Sequence, residues 1–265
     1  MVNLYNSLSP IMQLATGGDM LNFGYWNDSK SSNPIAAQNN LCSLVGEVAE
    51  LESAKTLIDI GSGLSAPAAR WKCIYNSLDI SCININFQQL SFASSAYADK
   101  ASLINATSIA LPFSSQSVDR VIALESAQHF RPLEKFIMES KRILQPTGLL
   151  IVAIPVVTRA HTNPLKILLD LGILSLTWSS ERYDLEYVKS IITKNGFGIK
   201  NVIRIGHRVY EPLTNYYVLN RNTLKFKILT KYSSFLEYVL YKSLLKMNEL
   251  SKKGMIDYAI IKAST

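Results

Sequence analysis

The chain has no apolar run long enough to cross a bilayer. Its longest stretches, residues 149–157 and 167–176, fall short of the roughly 20 apolar residues a membrane helix needs, and Asp170 and Gly172 break the second. Cysteine is scarce: Cys42, Cys73 and Cys82 show no C-x-x-C spacing, which argues against a disulfide framework or a zinc site and fits a reducing, cytoplasmic setting. Residues 1–10 lack both the basic start and the continuous apolar segment of a signal peptide, so none is expected. Acidic residues are sparse only at the C-terminal end, where residues 200–265 carry 12 Lys+Arg against 4 Asp+Glu, while residues 1–199 carry 15 against 16. The net charge of +7 therefore arises in the last quarter. Such a module attracts nucleic acid, an anionic membrane surface or a phosphorylated small molecule, or else is a solvated helical face.

What is present is globular material, with 48% apolar and 18% charged residues over 265 positions, enough for one large domain or a core with an insertion. Short apolar runs at 56–60, 80–84, 103–105, 118–124 and 148–154 alternate with helix-like segments, the pattern of parallel strands joined by crossover helices. Residues 133–144 read as a helix stopped by Gln145-Pro-Thr-Gly148, and residues 185–194 as another stopped by Asn195-Gly196. Two late strands are expected, near 199–205 and 257–261. The Tyr- and Lys-rich residues 206–254 between them read as an inserted helical cap for acceptor binding, leaving 1–205 as N-terminal helices plus core and 255–265 as the core's final strand.

The strongest local signal is Leu57-Ile-Asp-Ile-Gly-Ser-Gly63, an apolar strand running into an acidic residue and a G-x-G turn. Gly61 and Gly63 let the backbone turn tightly and approach a ligand at the sheet's C-terminal edge. The third glycine of a dinucleotide fingerprint is missing, since Ala66 stands at that spacing and Pro67 follows. With this turn the chain resembles the class I methyltransferases, in particular the small-molecule branch that includes tocopherol, sterol and sugar methyltransferases. The resemblance also rests on Leu21-Asn-Phe-Gly-Tyr-Trp26, on Ala110-Leu-Pro-Phe113 with Ser117-Val-Asp119, on Arg142-Ile-Leu-Gln-Pro-Thr-Gly148 and on Gly254-Met-Ile-Asp-Tyr258. It implies a Rossmann-like, doubly wound, mostly parallel α/β sheet and S-adenosylmethionine as cofactor.

Carried over residue by residue, Gly61 and Gly63 would lie against the methionine part of the cofactor, and Asp59 would hold the turn or meet the cofactor's ammonium. Tyr25 and Trp26 would line its far side, where aromatic faces suit a sulfonium, or would form an aromatic staple on the core. Where many relatives place an acid to grip the ribose, this chain has Asn84, with Gln89 five residues on. Thr107 and Ser108 stand at the adenine position, and Ser65 replaces the usual third glycine of the first motif. Glu125-Ser-Ala-Gln-His-Phe130 follows the fourth strand at the sheet edge. His129 is the expected general base or acceptor-orienting group, unless it is a structural hydrogen-bonder. Glu125 would contribute to catalysis, contact the cofactor or cap the next turn. His161, His207, Tyr210, Tyr216 and Tyr217 are either structural or reach the cleft.

The implied activity is methyl transfer to a small, lipophilic acceptor at oxygen, nitrogen or carbon. The basic C-terminal region leaves RNA or protein methylation as an alternative, weakened by the absence of an Asn/Asp-Pro-Pro-Tyr tetrapeptide. A non-catalytic binding protein of the same fold, or a nicotinamide-dependent oxidoreductase, are further readings. The apolar residues 165–176 and 235–245 fit either a greasy acceptor, transient contact with a membrane surface, or buried cap helices.

Overall fold

A computed structural model describes residues 2–27, 33–158, 181 and 183–265; for residues 2–8 it describes the backbone alone. One seven-stranded sheet has the order β3-β2-β1-β4-β5-β7-β6. Its strands are β1 (Thr56–Ile60), β2 (Asp79–Asn84), β3 (Ser102–Asn105), β4 (Val118–Leu124), β5 (Leu144–Val157), β6 (Gly198–Arg204) and β7 (Ile256–Ser264). β1 to β5 pair in parallel, and β7 runs antiparallel to both β5 and β6. The order reverses at β1, between β2 and β4, so their C-terminal ends open a crevice of the kind in which open α/β sheets bind ligands.

The central strands are buried on both faces, which is why they read as continuous Val/Ile/Leu runs. Leu57, Ile80 and Ile122 pack on one face beneath α2 (Pro34–Val48) and α3 (Ala66–Ile74). Ile58, Val121 and Ala123 pack on the other, with α5 (Leu133–Ile143) and α6 (Leu185–Lys194). The Gln145-Pro-Thr-Gly148 segment does not end at a turn outside the sheet, as the sequence led one to expect: Leu144 already pairs with Val118, the chain bulges, and pairing resumes at Leu149 with Arg120. β5 is therefore longer than the apolar run alone.

Several motifs behind the resemblance are architectural. Arg142 donates to the carbonyls of Leu111 and Phe113 while Glu139 accepts from the Leu111 N–H, which fixes the Leu-Pro-Phe loop. Asp119 accepts from the Lys55 and Thr56 N–H groups and locks the start of β1 to β4. Asp257 accepts from the Gly206 N–H and pairs with Arg204, joining β7 to the turn after β6.

Between β6 and β7 the chain forms α7 (Tyr210–Leu219), α8 (Arg221–Leu229) and α9 (Ser234–Lys252). These helices hold together through an apolar cluster of Tyr217, Leu224 and Ile228 and through Glu237, which is buried, pairs with Arg221 and accepts from the Tyr217 hydroxyl. The N-terminal helix α1 (Val2–Thr16) packs against α8, so the start of the chain and the segment between β6 and β7 meet over the crevice.

Candidate active site

A cavity of about 740 Å³ opens over the C-terminal ends of β1, β2 and β4, walled by α1 on one side and by the helices between β6 and β7 on the other. Its floor is the glycine turn. The Gly61 and Ser62 N–H groups donate to the Ile83 carbonyl, which clips the turn to β2. Gly61 has φ +73°, and a Cβ there would stand 2.4 Å from the Ser126 Cβ, while the Ser126 hydroxyl donates to the Ile60 carbonyl. Gly63, at φ +56°, has only the Leu21 Cδ1 near its missing Cβ, at 3.6 Å, and lines the cavity. Ser65, where relatives carry a third glycine, adopts the same left-handed region at φ +59°.

Asn84 and Gln89, the residues expected at the ribose, are in contact with each other. Asn84, at the end of β2, donates to the Gly63 carbonyl and to the Gln89 Oε1, at 3.0 and 2.9 Å, and accepts from the Asn86 N–H. Asn86 caps α4 (Phe87–Tyr97), which puts Gln89 one turn into that helix and back over Asn84. Gln89 in turn donates to the Ser9 hydroxyl of α1. Thr107 and Ser108 line the same end.

At the other end of the turn stand Glu125 and His129, both lining the cavity. Glu125 is in the left-handed region at φ +51° and accepts from the Phe23 N–H at 3.0 Å. Burial pushes its carboxyl up to about 8, against the opposing pull of Phe23, with the buried phenols of Tyr210 and Tyr258 beside it. His129 sits on the short helical turn Ala127–His129 with Gln128 Nε2 at 3.4 Å from its Nε2. Burial, with Arg131 adding to it, lowers its pKa to about 4, so the imidazole is neutral at pH 7.

Three expected contacts are not cavity-lining. Trp26 is 1% exposed and packs on the Tyr216 ring with centroids 5.6 Å apart, and Tyr25 packs against the core beside it. Gly24 causes this: at φ +85°, with its missing Cβ 2.7 Å from that of Ala37, it turns the chain onto α2, so residues 21–23 face the cavity and residues 25–26 face the core. Asp59 lies beneath the turn near Cys42 and Cys82, with burial raising its carboxyl to about 7. His207 is exposed and away from the cavity, whereas Tyr210, Tyr216 and Tyr217 line it. His161 and residues 165–176 lie outside the described residues.

Sequence reading passed over Asn22. Its amide is buried, lines the cavity, and has neither its Nδ2 nor its Oδ1 bonded among the described residues. A buried amide left unpaired costs free energy unless a ligand satisfies it. Asn22 stands between Leu21, which reaches Gly63, and Phe23, which bonds Glu125. The only signal available was its place inside the Leu21–Trp26 motif.

Lining carboxylates, Asp19 and Glu125, outnumber the single lining guanidinium, Arg131, which is itself paired with Glu181. Asp19 and, once it ionises, Glu125 suit a ligand carrying positive charge. The residues therefore fit S-adenosylmethionine, whose sulfonium and ammonium are cationic and whose ribose and adenine need neutral hydrogen-bonding groups. The fold and site define an α/β protein with a cavity at the C-terminal edge of its sheet whose lining suits such a ligand.

A family model described as a methyltransferase domain matches residues 58–152. Methyltransferase GfsG of Streptomyces halstedii is 25% identical over 68% of this chain and 66% of its own length. The 27-O-demethylrifamycin SV methyltransferase of Amycolatopsis mediterranei is 31% identical over 49% of each chain. The chain thus spans about half to two thirds of the length of these curated relatives. The mycolic acid cyclopropane synthase CmaA1, solved with SAH and CTAB, shares the fold with a TM-score of 0.81 at 15% identity, over 98% of this chain and 95% of that one. Residues 58–152 thus match a methyltransferase domain, and the chain is similar to small-molecule methyltransferases and shares the fold of a solved mycolic acid cyclopropane synthase.

Proposed function

We propose that the protein moves a methyl group from S-adenosylmethionine to a small, lipophilic acceptor at oxygen, nitrogen or carbon. The observation that carries this reading is the division of one cavity: hydrogen-bonding groups of the turn, Asn84, Gln89, Thr107 and Ser108 at one end, and an apolar wall from α1, α7 and α9 at the other, meeting at Glu125 and His129. Leu213, Leu240, Leu244 and Met247 of that wall offer no charge to an anionic acceptor, which favours a neutral, apolar one. The relative named as a 27-O-demethylrifamycin SV methyltransferase agrees with a small acceptor.

The cofactor supplies an activated methyl, so the chain's own tasks are alignment, exclusion of water and handling of one proton. Gly61, Gly63, Asn22 and Glu125 would hold the methionine half, and the Asn84–Gln89 pair the ribose. Thr107 and Ser108 would meet the adenine. The neutral His129 would take the proton released by a hydroxyl or amine acceptor at its ring nitrogen. The segment 206–254 acts in this reading as the acceptor-binding cap, and the free thiols agree with a reducing, cytoplasmic setting.

Titration calorimetry with S-adenosylmethionine, S-adenosylhomocysteine and NAD tests the first half. Micromolar binding of the first two, about −8 kcal/mol, and none of NAD is expected. Methyl release into a panel of apolar hydroxyl and amine compounds tests the second. Binding of NAD alone would overturn the reading.

A further inference from the structure

We propose that the outer face of α7 to α9 docks on an anionic membrane surface. On these helices Leu219 is 81%, Phe226 74% and Phe235 73% exposed, and Leu229 and Tyr238 are also exposed. Isolated exposed apolar residues need no explanation, but here five fall within 20 residues of three mutually packed helices. Phe226 and Leu229 are three residues apart on α8, as are Phe235 and Tyr238 on α9, so each pair shares a helix face.

The charge around them has one sign. Glu237 is the only acidic residue between Glu211 and Glu249, and it is buried against Arg221. The cations left over are Lys225, Lys227 and Lys231, with Lys242 one turn beyond Tyr238 and 5.6 Å from its ring. Lysines around exposed phenylalanine and leucine form the surface that lies in a lipid interface, its apolar groups inserted and its ammonium groups among anionic headgroups. A nucleic acid would use the lysines but leave Leu219 and Leu229 in water, because aliphatic side chains have no stacking partner there.

The same helices present their inner faces to the cavity. Leu224 of α8 lines it while Phe226 faces out, and Leu236 and Leu240 of α9 line it while Phe235 and Tyr238 face out. A docked membrane would thus lie about one helix diameter, roughly 10 Å, from the apolar half of the site. A lipophilic acceptor dissolved in that membrane would have a short path inward.

Flotation with vesicles of phosphatidylglycerol mixed with phosphatidylcholine, against phosphatidylcholine alone, tests the surface in the full chain. Binding to the anionic vesicles, weakened by salt, is expected. Replacing Lys225, Lys227 and Lys231 together by Ser should weaken partition roughly 100-fold, about five-fold per lysine. A Phe226→Ser, Phe235→Ser pair should weaken it by a comparable factor while the melting temperature and S-adenosylhomocysteine affinity stay at wild-type values. No partition of the wild type onto anionic vesicles, or partition that neither variant changes, would overturn the proposal. So would tighter binding to a single-stranded oligonucleotide than to the vesicles. S-adenosylhomocysteine binding by the same samples keeps this outcome separate from the methyltransferase reading.

Discussion

Replacing Gly61 and Gly63 by alanine, one at a time, separates what the glycine turn does for the fold from what it does for the ligand. At Gly61 a methyl group meets two penalties. The left-handed φ of +73° costs an alanine about 1–2 kcal/mol. The new Cβ falls 2.4 Å from the Ser126 Cβ and 3.3 Å from the Phe130 Cζ, inside a packed region where overpacking costs about 1–3 kcal/mol. Moving Ser126 away also stretches its bond to the Ile60 carbonyl. Together these give about 2–5 kcal/mol, a fall in melting temperature of roughly 10 °C for a chain of this size. At Gly63 only the backbone penalty applies, because the nearest atom to the new methyl is the Leu21 Cδ1 at 3.6 Å. The melting temperature should fall by only about 3 °C. That methyl projects into the cavity, so S-adenosylhomocysteine affinity should fall about ten-fold, equivalent to about 1.4 kcal/mol. Calorimetric melting and titration of both variants measure the two effects. A Gly61→Ala protein that melts with the wild type would refute the close approach of the turn to Ser126, and unchanged affinity in Gly63→Ala would refute the placement of the cofactor.

Three further outcomes are expected. His129→Ala should lower turnover by about 10²–10⁴ while leaving cofactor affinity nearly unchanged, and an unaltered rate at saturating acceptor would remove the imidazole from the mechanism. Glu125, raised by burial from 4.5 to about 8, keeps in the folded state a proton that the unfolded chain loses, so its stabilisation is full below about pH 4.5 and is lost as pH rises through about 8. Asp59, raised by burial from 3.8 to about 7, acts with the same sign. Glu125→Gln still accepts from the Phe23 N–H and should flatten chemical-denaturation stability across that window. In the wild type, S-adenosylmethionine should bind more tightly as pH rises from about 6 to 8, since a cation favours the ionised carboxylate; affinity that ignores pH would contradict the contact. Asn22→Leu should leave stability equal or slightly raised, because it removes an unpaired buried amide, yet weaken cofactor binding about ten-fold. A loss of stability without a loss of affinity would make Asn22 structural.

The sequence by itself determined the sheet and the turn. Buried parallel strands must be apolar on both faces, so β1, β2, β4 and the centre of β5 announce themselves as runs, and a left-handed backbone at residues 61 and 63 demands glycine. The Asn84–Gln89 pair was expected from the family resemblance alone; the structure brings the two together because Asn86 caps α4 and one helical turn carries Gln89 back over Asn84. Only the tertiary structure decided which half of Leu21-Asn-Phe-Gly-Tyr-Trp26 faces the cavity, because that depends on the contact of Gly24 with Ala37. It also decided that Asp59 lies beneath the turn, a matter of which sheet face carries α2. The roof of the cavity arises where α1 meets α8, two segments some 200 residues apart whose own periodicity records nothing of the meeting. Local steric and burial rules leave their mark in neighbouring residues, whereas the choice of partner across the chain depends on packing that no single segment encodes.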